Sequence, residues 1–397
     1  MKQESKAQIY LDFNATTPLS SDLAARLGEV AIESWGNPSS IHWAGQKSKK
    51  IIREARQFVA QSLGVHPLEI IFTSGGSEVN NQVLQSVFEK SRASGRNEFI
   101  TSKIEHPSIV KTLQHLKSLG AIIHEIPVDL DGSWSWSAFE KVLSERTALV
   151  TVMLANNETG LVLPIRQISE KAHAVGALVH TDAVQALGKI PVNLKELGVD
   201  FASFSAHKFY ALKGAGALYC RKGLDPRPLI FGGGQERQRR GGTENTLGIW
   251  SFGEMSKRAS EVSAQAEKML ALRDRMELKI SQLIEGVRVT HQRALRLPNT
   301  SSLVIEGVDG DSLLMSLDVQ GFAVSMGSAC SSGNPEPSAT LMNMGLSRAD
   351  AQSSLRISLG WTTTSEEINL FVMTLKTIVE RLRSVALEKP RSFQELT

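Results

Sequence analysis

Three apolar runs in the middle of the chain each end in polar side chains. TVMLA (151–155) runs into Asn156-Asn157-Glu158-Thr159-Gly160, ALVHT (177–181) into Asp182 and then Ala183-Val184-Gln185, and DFASFSAH (200–207) into Lys208. An Asp or Lys at one strand end is ordinarily a cap or a solvated charge. Three in succession are harder to dismiss, because open α/β sheets bind ligands beyond the carboxyl ends of their strands, where one crevice gathers them. A fourth run, EIIF (69–72), leads into Thr73-Ser74-Gly75-Gly76-Ser77-Glu78 and a helical pattern. Its glycines permit a tight turn, and the helix start offers free N–H groups to an anion. No Gly-Lys-Ser/Thr follows, so this is no Walker A loop. By itself, an ordinary Gly-rich turn capped by Ser explains it equally well. A phosphate cradle, a carboxylate and a lysine are what pyridoxal phosphate requires: the lysine for a Schiff base, the cradle for the phosphate, and the Asp for the ring nitrogen. The combination points to that cofactor without fixing a reaction.

The chain has two cysteines, too few for a disulfide framework, and neither lies in a zinc-like spacing. Cys220 closes the apolar run GAGALYC and reads as a small buried hydrophobe. Cys330 sits in VSMGSACSSGNPEPS, a stretch that suits neither a helix interior nor a central strand. A loop cysteine is more often inert than catalytic. Phe231-Gly232-Gly233-Gly234 is a weak phosphate signal, though Arg237, Arg239 and Arg240 make its surroundings cationic, and the GxG ending at Gly216 reads as structural.

The elements that position these residues follow from periodicity. Apolar runs at 69–74, 97–102, 121–128, 147–155, 177–182, 200–208 and 216–220 read as strands, with helical spacing at Ser77–Ser91, Pro107–Leu119 and Ile165–Val175 between them. That alternation predicts βαβ units and a mainly parallel, buried sheet. Residues 254–285 contain no Gly or Pro and predict one long helix leading out of the first domain. A second α+β region follows from about residue 286. Its last helix starts at the capping pattern Thr364-x-x-Glu367 and buries Ile368, Phe371, Leu375, Ile378 and Leu382. The length, 397 residues with 41% hydrophobic and 21% charged, suits two domains with ample core. A net charge of +3 is too near balance to argue a nucleic-acid or membrane-surface partner. No apolar run is long enough for a membrane helix, and MKQESKAQIY resembles neither a signal nor a transit peptide, so a cytoplasmic location is expected.

Nine segments occur in order with family-like spacing: YLDFNATTPL, WGNPSS, IEHPSIV, MLANNETG, HTDAVQALGK, SFSAHKFY, FGGGQERQRRGGTEN, GSACSS and SLRISLG. With them the chain resembles the group I cysteine desulfurases, fold-type I pyridoxal-phosphate enzymes of the class V aminotransferase superfamily, over nearly its whole length. The resemblance implies a large cofactor-binding domain over 16–260 with a mainly parallel seven-stranded sheet. A smaller α+β domain over 1–15 and 261–397 would carry a cysteine loop at about 325–337. It further implies that Lys208 bonds the cofactor, with Ser205, His207, Gly76 and Ser77 at the phosphate. Asp182 would face the ring nitrogen, Gln185 the phenolic oxygen, and His106 would stack on the ring and move protons. Thr243 would reach the phosphate of the other subunit of a homodimer. Asn37, Asn157 and Arg356 would hold the substrate carboxylate, Arg for its bidentate fork; a structural ion pair is the plainer reading of Arg356. Cys330 becomes the nucleophile that takes sulfur from L-cysteine as a persulfide, leaving L-alanine, and delivers it to an acceptor such as an iron–sulfur scaffold protein.

Some positions depart from the family pattern. Ala206 stands where Gly is common, Ala211-Leu212 where Gly-Pro is usual, Ser77 where Thr is common, and Val79 where a small or polar residue is. None removes a reacting group. Selenocysteine lyase shares this fold and cofactor, and WGNPSS, HKFY and RLPNT are as similar to that enzyme; the GSACSSGNPEPS loop is similar to the desulfurase arm. L-selenocysteine is thus the alternative substrate. A non-catalytic scaffold for sulfur-transfer partners is the other alternative, and the joint presence of Lys208, Asp182, His106 and Cys330 argues against it.

Overall fold

The computed structural model describes residues 8–326 and 336–388. After a short first strand, β1 (Ile9–Tyr10), seven strands build the large sheet. They are β2 (Ile70–Thr73), β3 (Glu98–Ser102), β4 (Ile122–Ile126), β5 (Thr147–Thr151), β6 (Leu178–Asp182), β7 (Phe201–Ser205) and β8 (Gly216–Cys220), in spatial order β2-β8-β7-β6-β5-β3-β4. These are the seven apolar runs of the sequence. All run the same way except β8, which is antiparallel to both β7 and β2. The reason lies in the connection: only residues 206–215 separate β7 from β8, fewer than a parallel crossover needs.

Side chains alternate between two buried faces. Phe72, Ile100, Val150, Phe204 and Tyr219 enter one core, whereas Ile71, Phe99, Phe201, Leu218 and Cys220 enter another. The second face is covered by the helix Gly76–Ser91 through Val79, Val83, Leu84 and Val87. Cys220 is buried as expected, and burial pushes its thiol up to about 12.

A separate antiparallel sheet has the order β12-β10-β9, from β9 (Val287–Val289), β10 (Thr300–Ile305) and β12 (Ser354–Ser358); β1 pairs in parallel with β11 (Phe322–Ala323). Its core combines Leu303, Ile305, Leu355 and Ile357 with Ile9, Leu11 and the helix Ser365–Glu388. That helix opens with the expected capping box: Thr364 N–H donates to Glu367 Oε2 at 2.8 Å, and Glu367 N–H to Thr364 Oγ1 at 3.2 Å.

The long helix expected over 254–285 is not one piece. It runs as Thr246–Ser256, a 3-10 turn Lys257–Glu261, and Val262–Leu283. The backbone stays right-handed through Ser256 (φ −65°, ψ −25°) and Val262 (φ −56°, ψ −42°), so the chain tightens without breaking. A 3-10 turn stacks residues i and i+3. Arg258 uses that spacing to hold Glu261 through bonds of 2.8 and 2.7 Å. Beyond the turn, Met269 still faces the large-sheet core while Leu272, Met276 and Ile280 face the smaller one.

Candidate functional site

The carboxyl ends of β2, β3, β5, β6 and β7 open on a cavity of about 410 Å³. Gly76, Ser77, His106, Asn157, Asp182, Gln185, Ser205, His207 and Lys208 line it from the large sheet's side, and Arg356 enters from β12. Two expected residues are elsewhere, and a third is not described. Thr243 lines a different cavity with Ser74, Gly214 and Arg240. Asn37 is exposed and accepts the Ser39 N–H at 2.9 Å. Cys330, with most of its loop, lies outside the described residues.

The cradle forms because Gly76 starts its helix against the segment that follows Asp182. A Cβ at Gly76 would lie 2.6 Å from Val184 Cγ2, so a larger residue would push the helix start away. A Cβ at Gly216 would meet Gly75 Cα at 2.6 Å, which keeps β8 close beneath the turn. The helix runs sixteen residues, and its first residues, Gly76 and Ser77, whose N–H groups have no acceptor within the helix, line the cavity. Glu78, in the first turn, is taken up by Ser74 and by Arg240 at 2.9 Å, so one cation expected near the Gly-rich stretch is committed to an ion pair.

Asp182 ends β6 and receives two donors: the Asn80 amide on Oδ2 at 2.8 Å and the Val184 N–H on Oδ1 at 3.0 Å. Lys208 closes a short 3-10 turn after β7, and its Nζ donates to the carbonyls of Asn14 (2.6 Å) and Ala15 (2.7 Å). Burial, reinforced by Arg356 and opposed by Asp12 and Asp182, pushes its pKa down to about 8. Neutral amine is therefore available near neutral pH. Gln185 donates through Nε2 to Asn14 O at 2.9 Å, and its Oε1 accepts from the fully buried Lys189. Lys189 also reaches Asn14 Oδ1 at 2.8 Å; burial and the nearby Lys208 and Arg356 hold its pKa well below the ordinary value.

Three histidines sit around this frame. His106 caps the helix Pro107–Ser118, where Pro at the first helical position sacrifices no hydrogen bond. Its ring opens on the cavity, and enclosure by the walls, with Lys208 adding and Asp182 opposing, holds its pKa below the usual value. Burial first, then Lys208, push His207 down to about 4. His180, two residues before Asp182 on β6, is pushed to about 3 by burial alone. Beneath His106, Glu105 is fully buried and raised to about 8 by desolvation, despite accepting from Ser102 Oγ and the Met153 N–H.

Arg356 does carry the structural ion pair. Nη2 donates to Asp12 Oδ1 at 2.7 Å and Nη1 to Asn157 O at 3.1 Å. Its Nε, however, is buried with no hydrogen-bond partner among the described residues. After Lys208, Tyr210 adopts a left-handed conformation (φ 54°) held by its N–H on Thr17 Oγ1 (2.7 Å) and by the Trp361 N–H on its hydroxyl (2.7 Å). In the atypical Ala211-Leu212 pair, Leu212 N–H donates to Ser251 Oγ at 3.1 Å, a bond proline could not make.

Residues beyond the expected set also line or support the cavity: Asn14, Asn80, Glu105, Ser108 and Lys189. Asn80 carried a legible signal, since it shares a helical stripe with Val83, Leu84 and Val87, and a polar residue on a buried stripe must find partners.

An α/β frame with an amine, a carboxylate and an anion cradle at successive strand ends defines a class of enzyme, and comparison with known proteins agrees. Residues 9–371 match the family model described as Aminotransferase class-V, and the chain belongs to that family, among its cysteine desulfurases. Cysteine desulfurase IscS of Dictyoglomus turgidum is 41% identical over 382 residues, 96% of this chain and 97% of that protein. The cysteine desulfurase of Cereibacter sphaeroides is 40% identical over 383 residues, with 96% and 97% covered. A solved structure described as a NifS-like protein superposes with a TM-score of 0.89 at 36% identity, covering 95% of this chain and 100% of that one. The structure of SspA in complex with cysteine gives 0.78 at 31% identity, with 89% and 99% covered. The desulfurase names of these relatives favour that activity over selenocysteine lyase.

Proposed function

We propose that this chain is a pyridoxal-phosphate-dependent cysteine desulfurase that turns L-cysteine into L-alanine and passes the sulfur through Cys330 to an acceptor protein. The observation that carries the reading is the buried Nε of Arg356, without a partner among the described residues, in a cavity shared with Lys208 and Asp182: the carboxylate of an amino-acid substrate suits the guanidinium, and the cofactor suits the amine and the carboxylate. The residues present fit the cofactor. Gly76, Ser77, Ser205 and His207 suit its phosphate, because they line the cavity at a helix start whose first N–H groups are free for an anion. Asp182 has lone pairs left beyond its two donors for the ring nitrogen, Gln185 suits the phenolic oxygen, and Lys208 bonds the cofactor. When bound, pyridoxal phosphate supplies an electron sink for the pair released as the substrate's Cα–H bond breaks.

Lys208 accepts that proton at Nζ, its depressed pKa leaving it partly neutral. Arg356 holds the substrate carboxylate, assisted by Asn157 and Asn37. The thiolate of Cys330 then attacks the substrate sulfur: a new S–S bond forms, the Cβ–S bond breaks, and its electron pair goes to Cβ, which is protonated to the methyl of alanine. Free cysteine is a minor thiolate at neutral pH, so cationic surroundings or a proton acceptor must activate it. Sulfur then leaves the persulfide to an acceptor, with an iron–sulfur scaffold protein the expected class.

The site is completed in a homodimer. Thr243 and Asn37 lie outside their own chain's cavity, yet their neighbours Glu244 and Pro38-Ser39 line one shared surface groove. Beside them, Trp35, Ile41, Trp43 and Phe231 expose 67–92% of their surface, the kind of apolar display that marks an interface. Both residues would serve a second copy. Residues 16–260 would form the cofactor-binding domain, and 1–15 with 261–397 the smaller one. Among the described residues no helix is long and apolar enough to cross a membrane; a cytoplasmic location is part of the proposal.

Alanine release tests it, from wild type and Cys330→Ala supplied separately with L-cysteine and L-selenocysteine. Alanine from cysteine that vanishes in a variant still absorbing as lysine-bound cofactor supports the desulfurase. Alanine from selenocysteine alone would make the protein a lyase. A wild type with neither absorbance nor alanine would leave the scaffold.

A further inference from the structure

One buried amide touches Asp182 directly and reaches His106 through Ser108. Asn80 is 1% exposed in the second turn of the helix Gly76–Ser91. A carboxylate only accepts, so the Asn80 atom 2.8 Å from Asp182 Oδ2 is the NH₂ group, and the other terminal atom is the carbonyl oxygen. The NH₂ gives its second hydrogen to Ser108 Oγ at 2.9 Å. The carbonyl oxygen lies 2.6 Å from Ser203 Oγ, which must therefore donate to it. With its single hydrogen used, Ser203 accepts from His180 Nε2 at 2.8 Å. His180 Nδ1 in turn accepts from the Thr151 hydroxyl, also at 2.8 Å. The burial that keeps His180 neutral is what this direction requires.

The other end is equally constrained. Ser108 N–H can only donate, and its partner is His106 Nδ1 at 3.1 Å. Because Ser108 Oγ accepts from Asn80, its own hydrogen is free for the same Nδ1, 2.8 Å away. Neutral His106 then carries its hydrogen on Nε2, the nitrogen not turned to Ser108. From the Asp182 carboxylate to the His106 ring, every hydrogen has one direction.

We propose that Asn80 is a positioning residue whose single amide orients the Asp182 carboxylate and, by turning the Ser108 hydroxyl hydrogen toward His106 Nδ1, adds a second donor to the Ser108 backbone N–H that holds His106 in its Nε2–H tautomer, so that His106 meets the substrate as a hydrogen-bond donor through Nε2 and not as a base. Its catalytic meaning rests on the cofactor- and substrate-facing roles proposed for Asp182 and His106. The tautomer itself does not. The substrate's thiol proton must accordingly leave by another route, and the Nε2–H is left to steady negative charge developing on the substrate.

Two-bond ¹H–¹⁵N correlation spectra of ¹⁵N-histidine-labelled protein, with and without pyridoxal phosphate, read the tautomer directly; His106→Gln assigns the ring. Wild type is expected to show Nε2–H for His106 in both samples near pH 7.5. Asn80→Ala should raise the Nδ1–H fraction and weaken cofactor binding about tenfold or more, the usual effect of losing a hydrogen bond to a charged group. Asn80→Asp, which keeps the shape but opposes a second carboxylate to Asp182, should weaken it further. Nδ1–H in wild type overturns the proposal whether or not Asn80→Ala folds, as does a folded Asn80→Ala with wild-type tautomer and wild-type cofactor affinity. Failure of the desulfurase reading would look different: no alanine from cysteine, with the tautomer as stated.

Discussion

The two sides of the cavity solve the problem of burying polar groups in opposite ways. On the large-sheet side the groups are neutral or close to it: His180 and His207 are pushed down to about 3 and 4, Lys208 to about 8, and Glu105 is raised to about 8. Asp182 sits among them, held by an amide and a backbone N–H. On the small-sheet side, charge is kept and paired, as Arg356 on β12 holds Asp12 at 2.7 Å. Desolvation disfavours ions unless a partner is fixed nearby. On the function proposed above, the difference would orient a substrate amino acid: its carboxylate would sit on the charged wall, and the bonds that break on the wall where amine and imidazole exchange or donate protons without a large solvation cost.

The largest effect that would break this division is Lys208→Ala. Absorbance from lysine-bound cofactor should disappear, and alanine formation should fall by at least the roughly 10²–10⁴-fold that a positioned proton-transfer group contributes. Stopped alanine assays and visible spectra measure both. Activity within threefold of wild type would remove Lys208 from the chemistry.

Arg356→Ala attacks the opposite wall. KM for L-cysteine should rise on the order of 10²-fold. Stability should also drop by about 3 kcal/mol, because Asp12 is left without its cation. Arg356→Lys separates the two: the charge facing Asp12 stays, so thermal stability should recover most of the loss while KM stays high, since an ammonium lacks the planar fork. Equal recovery of KM and stability would mean that Arg356 serves only the ion pair.

At Glu105 the effect should fall on stability and its pH dependence, with no loss of substrate affinity. Its folded pKa lies above that of an unfolded carboxyl, so the folded state binds more protons. Its contribution is fully present below about pH 4.5 and is lost as pH rises through about 8. Glu105→Gln keeps the neutral shape and can still accept the Met153 N–H. The variant should match wild type near pH 4.5 and gain on it by roughly 1 kcal/mol per pH unit up to pH 8, read from denaturation midpoints. A constant offset across that range would show that Glu105 is not a buried acid.

What the sequence made legible divides along the same line. Strands of the large sheet are short apolar runs whose ends carry the chemistry, so Asp182 and Lys208 stood out without coordinates. Asn14 and Lys189 did not, because each has a partner distant in the chain: Asn14 bonds Gln185, Lys189 and Thr300 at once. Asn80 showed only as a polar residue on a buried stripe. Arg356 was legible as the one charge in SLRISLG, but not its pairing with Asp12, 344 residues away. Thr243 and Asn37 lie outside the cavity, and any role for them rests on the homodimer proposed above. The turn at 257–261 left no Gly or Pro to read, since a 3-10 segment needs neither.

The smallest expected effect concerns the chain that leaves Lys208. Leu212→Pro restores the residue usual in the family, yet here the Leu212 N–H is the donor to Ser251 Oγ, whose own hydrogen goes to Gly248 O at 2.8 Å. Proline removes that donor and leaves a buried hydroxyl oxygen without it, a cost of about 1 kcal/mol. The neutral wall depends on such local bonds and on Tyr210's left-handed backbone, not on charge, so the loss should appear as a lowered denaturation midpoint with KM for cysteine unchanged. Ser251→Ala in the same background should then cost less than it does in wild type, since only the bond to Gly248 O is left to lose. A Leu212→Pro enzyme as stable as wild type would mean that the Ser251 bond contributes nothing, and that proline's stiffening of the unfolded chain offsets its absence.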